Sequence, residues 1–316
     1  GIESESGFKT RKTYEERLVF EQMEPNIRFL KSGTILPSSS NLKLNFEAVN
    51  LSAIDVKVYR IYENNVLQFL QDNEISGQQN LRKVALPVAK KKITLKTSNL
   101  IDYNKWNPYA LDLASIIQPE KGAIYRVELS MRKSYSLYNC GNGDSTDEEE
   151  EEDENEDSEF YSDFDDYYYE DYYYYDDYNW RDRDNPCTKS YFYGKSVATN
   201  VLASDLGVIA KGGENNNYFF SVNSITTTQS VSGATVEIYN YQQQKVATVL
   251  TNGEGTATVS LDKRAFFAVV SKGDNTTYVK MADGNSLSVS NFEVDGTKLQ
   301  KGLKGYIYGE RGVWRP

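Results

Sequence analysis

The stretch NLKLNFEAVNLSAIDVKVYRIY, Asn41–Tyr62, decides the fold class. In its first half Leu42, Leu44, Phe46 and Ala48 alternate with polar residues. In its second half Ile54, Val56, Val58 and Arg60 fall opposite Asp55, Lys57, Tyr59 and Ile61. An apolar period of two places alternate side chains on one face of an extended chain, so the stretch reads as two half-buried strands. AIYRVELSM (Ala123–Met131), introduced by the turn QPEKG, reads as a third. LDLASII (Leu111–Ile117) allows a short helical turn, and no other sustained helical spacing is read between residues 25 and 316.

The pattern resumes after residue 195. KSVATNVLAS, LGVIAK, NYFFSVNSI, ATVEIYNY, KVATVLT, GTATVSL, AFFAVVSK and TTYVKMA follow one another, separated by KGGENNN, SVSG, NGEG, DKR and KGDN. Short strands at this spacing predict an antiparallel β-sandwich of about 100 residues. In TNGEG (Thr251–Gly255), Asn252-Gly253 is expected to supply the positive φ of a tight hairpin. The whole is therefore all-β, a tandem of antiparallel sandwiches. Residues 25–140 with 188–204 form the first, and 205–290 the second. A segment at about 141–187 is inserted between the last two strands of the first, which are neighbours in one sheet. Loop-closure entropy grows only logarithmically with length, so an insertion this long is tolerable.

That insertion dominates the charge. Residues 144–184 hold 21 of the 46 acidic residues and two of the 35 basic ones, Arg181 and Arg183. The remainder, with 25 acids against 33 bases, is mildly basic although the chain's net charge is −11. The segment joins an acidic run, Asp147–Asp157, to an aromatic half, Phe160–Trp180, with nine tyrosines, two phenylalanines and a tryptophan. Three readings stay open. It is a solvated loop whose like charges cannot repay ordering. It binds Ca²⁺ through carboxylates, without EF-hand spacing. Or its aromatic half, with Tyr167, Tyr168, Tyr169, Tyr172, Tyr173, Tyr174, Tyr175 and Trp180, is ordered, either folded back on the basic body or presented to a partner as a contact surface.

The chain has no histidine. This removes Ser-His-Asp and Cys-His catalysis and His-ligated zinc. No phosphate-cradling glycine loop is present, and KGG at 211–213 reads as a turn. The lysines are scattered along alternating strands, which gives nucleic-acid binding no support. KKK at 90–92 reads as a solvated loop before a strand, and Trp106, Trp180 and Trp314 as packing residues. Arg311 and Arg315 are expected to pair with Glu310 or nearby carboxylates. Asn50 and Asn275 lie in N-x-(S/T) sequons, which matter only in a eukaryotic secretory host. No apolar run approaches the roughly 18 residues of a membrane span. The polar opening GIESESGFKT, without an initiator methionine, reads as the start of a processed or cloned fragment.

Four segments, in order, resemble the bacterial α2-macroglobulin family, and their details are most like members from Bacteroidetes-type bacteria. EPNIRFLKSGTILPSSSNLKLNFEAVNLSAIDVKVYRIYENNVLQFL (Glu24–Leu70) resembles the family's P-x-(L/I)-R-F…G-x-(I/L)-L-P…A-V-N…D-V-x-V-x-R segment. NVLASDLGVIAKGG (Asn200–Gly213) resembles its DLGL junction, and SGATVEIYNYQQQKVATVLTNGEGTATV (Ser232–Val259) its G-x-x-V-x-(L/I)-Y…G…T…G stretch. KGYIYGERGVWRP (Lys304–Pro316) resembles its DRGxYRPG turn, with Glu310 and Trp314 in place of Asp and Tyr.

The resemblance implies macroglobulin-like domains of a broad-spectrum endopeptidase inhibitor, which traps a protease after the protease cuts a bait region. It implies a scaffold with no catalytic activity, no cofactor and no metal. The Cys-x-Glu-Gln thioester motif is absent: Glu21-Gln22 has no cysteine before it. The implied division is 1–24 as the tail of a preceding domain or a linker, 25–204 and 205–290 as two macroglobulin-like domains, and 291–316 as a linker with the first strand of a third. Implied partners are target proteases, through the full-length parent, and neighbouring macroglobulin-like domains, with no nucleic acid. The fragment is expected to be a monomer, from an exported periplasmic or cell-surface protein anchored through an upstream lipoprotein N-terminus. Because the family is exported, Cys140 and Cys187 at the ends of the insertion are expected to form a disulfide; the alternative is two free thiols in a reducing compartment. The rival function class is an adhesin or binding module of Ig-like domains that presents the acidic, tyrosine-rich loop.

Overall fold

The computed structural model describes residues 4–8, 22–30, 35–37, 42–98, 101–141 and 178–281. Its strands form four sheets that pair into two sandwiches. The first unit contains β1 (Asn26–Phe29), β2 (Ile35–Leu36), β3 (Lys43–Val49), β4 (Ala53–Ile61), β5 (Ala85–Thr94), β6 (Asn107–Asp112), β7 (Ile124–Ser130) and β8 (Ser196–Ala203). The second contains β9 (Leu206–Gly212), β10 (Asn217–Ser224), β11 (Thr235–Tyr239), β12 (Lys245–Leu250), β13 (Thr256–Ser260), β14 (Phe267–Lys272) and β15 (Asn275–Lys280). In the first, the three-stranded sheet β1-β3-β6 faces the five-stranded sheet β2-β8-β7-β4-β5; in the second, β13-β10-β9 faces β12-β11-β14-β15. Every pairing is antiparallel except β2 with β8. The architecture is that of tandem antiparallel β-sandwiches.

The alternation produces these layers directly. Leu42, Leu44, Phe46 and Ala48 from one sheet meet Ile54, Val56 and Val58 from the other in one buried cluster, with Val127, Leu129 and Val201. Phe220, Val222, Val236, Ile238, Ala268 and Val270 fill the second core in the same way. β7 and β8 are neighbours, with Ser130 opposite Ser196, so the segment between them leaves and re-enters at one end of the five-stranded sheet.

Three expectations change. Glu63–Asp72 is a ten-residue α-helix, α1, where no helical spacing was read. Its buried residues Val66, Phe69 and Leu70 follow the i, i+3, i+4 spacing of a helix face. So short a helix is marginal alone and is held by packing. Lys90–Lys92 lie within β5, not in a loop. β5 is an edge strand, where exposed lysines discourage pairing with another chain. Thr251–Gly255 is not a hairpin: β12 and β13 lie in different sheets, the turn carries the chain from one to the other, and its positive φ, +71°, belongs to Gly255 rather than to Asn252 or Gly253. A Cβ there would sit 2.6 Å from the Val222 carbonyl oxygen. Asn252 instead turns the loop with its side chain: Oδ1 accepts from the backbone N–H groups of Glu254 and Thr256. The Leu111–Ile117 turn is present as the 3₁₀ segment Leu113–Ser115.

Candidate functional site: the interdomain joint and the insertion base

Only Ser204 and Asp205 connect β8 to β9. Ser204 is fully buried; its N–H donates to the Leu36 carbonyl (3.0 Å) and its Oγ accepts from the Leu206 N–H (3.2 Å). The Asp205 N–H donates to Asn275 Oδ1 (2.8 Å). This linker is therefore fixed from both sides. Beside it α1 forms a wedge. Its Val66, Phe69 and Leu70 join Ile61, Ile124 and Leu202 of the first unit and Phe267 and Tyr278 of the second in one buried cluster. Burying a large apolar side chain contributes roughly 1.5–3 kcal/mol, so the three helix residues alone supply several kcal/mol to this end of the sheet.

A ring of polar contacts surrounds the cluster. The Tyr278 hydroxyl donates to the Gly122 carbonyl (2.6 Å). Lys280 Nζ donates to the Asn73 carbonyl (3.1 Å) and pairs with Glu74 (3.3 Å). Lys121 Nζ donates to the Gly273 carbonyl (2.6 Å), and Gln71 Nε2 to the Tyr241 carbonyl (2.6 Å). Gln243 Nε2 returns a bond to Gln71 Oε1 (3.0 Å). Asn73 closes α1: its Nδ2 donates to the Phe69 and Gln79 carbonyls while its Oδ1 accepts from the Gln79 N–H. Burial, and then the nearby Glu63 carboxylate, push the Tyr278 phenol well above the ordinary tyrosine range, so it stays a donor. The two sandwiches thus pack against each other through one buried cluster with a polar rim.

The opposite end of the five-stranded sheet carries the insertion base. Cys140 and Cys187 form a disulfide with Cα atoms 5.6 Å apart, as expected of them. On the outgoing side the Tyr135 hydroxyl donates to the buried Asp55 carboxylate, which also pairs with Arg132. The Ser52 N–H donates to the Tyr135 carbonyl (2.7 Å) and the Leu137 N–H to the Asn50 carbonyl (2.9 Å). On the returning side a single helical turn, Lys189–Phe192, places Tyr191 in the core, where its hydroxyl meets Glu24 (3.1 Å) and donates to the Pro25 carbonyl (3.0 Å). Burial and then Glu24 raise the Tyr191 phenol far above its usual range. Lys195 lies over the Tyr191 ring, and burial lowers its ammonium against the pull of Glu24 and Asp184.

Of the other residues singled out in the sequence, Tyr167, Tyr168, Tyr169, Tyr172, Tyr173, Tyr174 and Tyr175 lie outside the described residues, as do Glu310, Arg311, Trp314 and Arg315. Trp180 is 61% exposed, with the Arg183 and Arg181 guanidinium carbons 5.7 and 6.0 Å from its ring, so it is a surface residue and not a packing one. Trp106 packs under Arg28 at 4.1 Å. Asn50 is buried and its Nδ2 donates to the Met23 carbonyl and Asn104 Oδ1, which engages the sequon nitrogen in the fold. The linker lies in Asn200–Gly213, the segment that resembles the family's junction, but α1 is missed by the sequence reading: its signal is the triad Val66, Phe69 and Leu70 at i, i+3, i+4, between strands too apolar to make it stand out.

Residues 28–139 match the family model described as the bacterial alpha-2 macroglobulin MG2 domain, and residues 203–299 that of the bacterial alpha-2-macroglobulin MG3 domain. The first match stops one residue before Cys140. A curated alpha-2-macroglobulin of Pasteurella multocida (strain Pm70) is 28% identical over 128 residues, 37% of this chain and 7% of that protein, so the chain spans a small part of its relative's length. Among solved structures, native Escherichia coli alpha-2-macroglobulin spanning domains MG0-NIE-MG1 is similar at TM-score 0.49 and 17% identity, over 86% of this chain and 69% of that one. Salmonella alpha-2-macroglobulin reacted with methylamine is similar at TM-score 0.45 and 18% identity, over 87% and 13%.

Proposed function

The chain belongs to the bacterial alpha-2-macroglobulin family, and on that premise we propose that it is a scaffold segment of a protease-trapping inhibitor, with no catalytic step of its own. The observation that carries the reading is that two successive family domains are joined through one buried cluster and a two-residue linker. A frame that changes shape as a whole after bait cleavage needs segments that move as rigid bodies. The joint supplies that rigidity here. The division at 25–204 and 205–290, with flanking pieces at 1–24 and 291–316, belongs to the same proposal. So do a monomeric fragment and an exported, periplasmic or surface-held parent, which the oxidised cysteine pair favours.

The test uses the full-length parent. It is mixed with a broad-specificity protease, and cleavage of a large protein substrate is compared with that of a small chromogenic peptide. Protection of the large substrate with the small one still cut is the expected result. Both cut at the control rate would remove the trapping reading and favour an adhesive role.

A further inference from the structure

The ladder between β1 and β3 ends where Asn26 lies opposite Val49. The next residues out cannot extend it as a regular pair. Pro25 has no N–H to offer, and Asn50 turns away from β3 in the left-handed region, at φ +52°. The chain just before β1 is nevertheless held, by side chains in place of a strand. The Met23 N–H donates to Asn104 Oδ1 (3.1 Å), and the Met23 carbonyl accepts from Asn50 Nδ2. The same Nδ2 donates to Asn104 Oδ1 (2.8 Å), so the two amides form one clasp on Met23.

On either side of that clasp the segment Gln22–Pro25 reaches the two limbs of the insertion base. Gln22 Oε1 accepts from the Asn139 N–H (3.0 Å) on the outgoing limb, next to Cys140. On the returning limb the Tyr191 hydroxyl donates to the Pro25 carbonyl (3.0 Å) and meets Glu24 Oε2 (3.1 Å), and Glu24 also attracts Lys195. Asn50 completes the circuit through its backbone. Its carbonyl accepts from the Leu137 N–H of the outgoing limb (2.9 Å), and its N–H donates to the Tyr103 carbonyl (2.8 Å). Asn50 and Tyr191 are each only 2% exposed, so water competes poorly for these bonds and leaving one unmade is costly.

We infer that Gln22–Pro25 is a conformational strap that ties the chain entering the first unit to both limbs of the insertion base, with Asn50 as its positioning residue. A displacement of the entering chain at Gln22 is thereby delivered to Asn139 on one limb and Tyr191 on the other. The strap lies at the end of the five-stranded sheet away from the joint. Among the described residues, none of its hydrogen bonds reaches α1 or the second sandwich. The Cys140–Cys187 bridge joins the same two limbs covalently, so strap and bridge are ties in parallel. This tie is independent of the trapping function.

The experiment measures amide hydrogen exchange in the full chain, residue by residue, by NMR. Tyr191→Phe keeps the ring in the core and removes the hydroxyl's bonds to the strap. It should speed exchange of the Leu137 and Asn139 N–H groups, on the other limb, about fivefold, the scale set by loss of one modest hydrogen bond. In a Gln22→Ala background, where Asn139 has already lost its acceptor, Tyr191→Phe should change the Asn139 rate less than about twofold, because the two effects share one route. Asn50→Gly keeps the left-handed backbone and removes the clasp; it should speed exchange of the Tyr191 and Lys195 N–H groups about threefold or more. Unchanged exchange at Leu137 and Asn139 in Tyr191→Phe would overturn the inference, as would an undiminished effect in the Gln22→Ala background. Equal acceleration at Ala268 and Val270 of β14 would mean a general loss of stability and would overturn it too. With the bridge reduced and alkylated the coupling should persist; its disappearance would assign the coupling to the disulfide and not to the strap.

Discussion

Gly122→Ala is the sharpest probe of the joint. Gly122 has φ +71°, and an added Cβ would stand 2.9 Å from both the Tyr278 hydroxyl oxygen and Glu63 Oε1. Placing an L-residue in the left-handed region costs roughly 1–2 kcal/mol on its own. Glu63 can swing its carboxylate aside. Tyr278 cannot follow, because its ring is buried in the joint and its hydroxyl is held at 2.6 Å by the Gly122 carbonyl itself. Displacing that hydroxyl adds the loss of a buried hydrogen bond, roughly 1–2 kcal/mol, so the single variant should lose about 2–4 kcal/mol. Tyr278→Phe alone, which leaves the carbonyl unpaired but removes the obstructing atom, should cost about 1–2 kcal/mol. In the double variant the clash has no partner, so its cost should fall short of the sum by about 1 kcal/mol or more. Urea denaturation followed by circular dichroism, with calorimetry to check for a single transition, reads the cycle. Additivity within about 0.5 kcal/mol would mean that the two residues do not touch in solution, and the rigid-joint argument would fail with it.

Three further outcomes follow from the same geometry. Phe69→Ala should open a cavity at the centre of the joint at a cost of about 3–5 kcal/mol, and should split a single calorimetric transition into two; one undivided transition would show that the helix does not couple the units. Reducing the Cys140–Cys187 bridge, whose partners are 47 residues apart, should remove about 4 kcal/mol by the chain-entropy relation while leaving the far-ultraviolet spectrum at 25 °C native, because the base has its own hydrogen bonds. Loss of native ellipticity on reduction would show those bonds to be insufficient. Tyr191 and Tyr278 are raised above the ordinary tyrosine value of 10, by burial first and then by Glu24 and Glu63 respectively, and Tyr239 is raised to about 12 by burial and by Glu237. A native state that holds these phenol protons more tightly than the unfolded chain keeps their contribution intact below pH 10 and loses it as pH rises above that value. Stability should therefore fall above pH 10; an unchanged urea midpoint from pH 9 to 11 would contradict these directions.

The strands were legible because each carries its own instruction. Leu42, Leu44, Phe46 and Ala48 can bury together only on an extended chain, and every strand read between residues 195 and 281 is present. What escaped was of two kinds. α1 has a clear apolar triad, but its ten residues are flanked by strands whose own apolar residues mask the change of period. The joint also depends on Tyr278 meeting Gly122, a contact between residues 156 positions apart that neither neighbourhood announces. The cysteine pair was legible for a different reason: the family resemblance implies an exported chain, and its two cysteines stand at the two ends of one insertion.

The five-stranded sheet explains why these features fall where they do. At the end marked by Ile61, Ile124 and Leu202, three connections converge: the β4–β5 segment with α1, the β6–β7 turn with Gly122, and the β8–β9 linker. All three take part in the joint. At the other end, marked by Asp55, Ser130 and Ser196, the β7–β8 insertion departs and is closed by its disulfide. A long segment at the first end would interfere with the packing of the second sandwich, whereas at the second end it leaves that contact untouched. The sheet thus separates two demands on one domain, a fixed angle to its neighbour and a highly charged appendage, by the length of its strands. β4 has nine residues, about 30 Å at the usual rise per residue, so the disulfide-closed base of the insertion stands a strand's length from the joint.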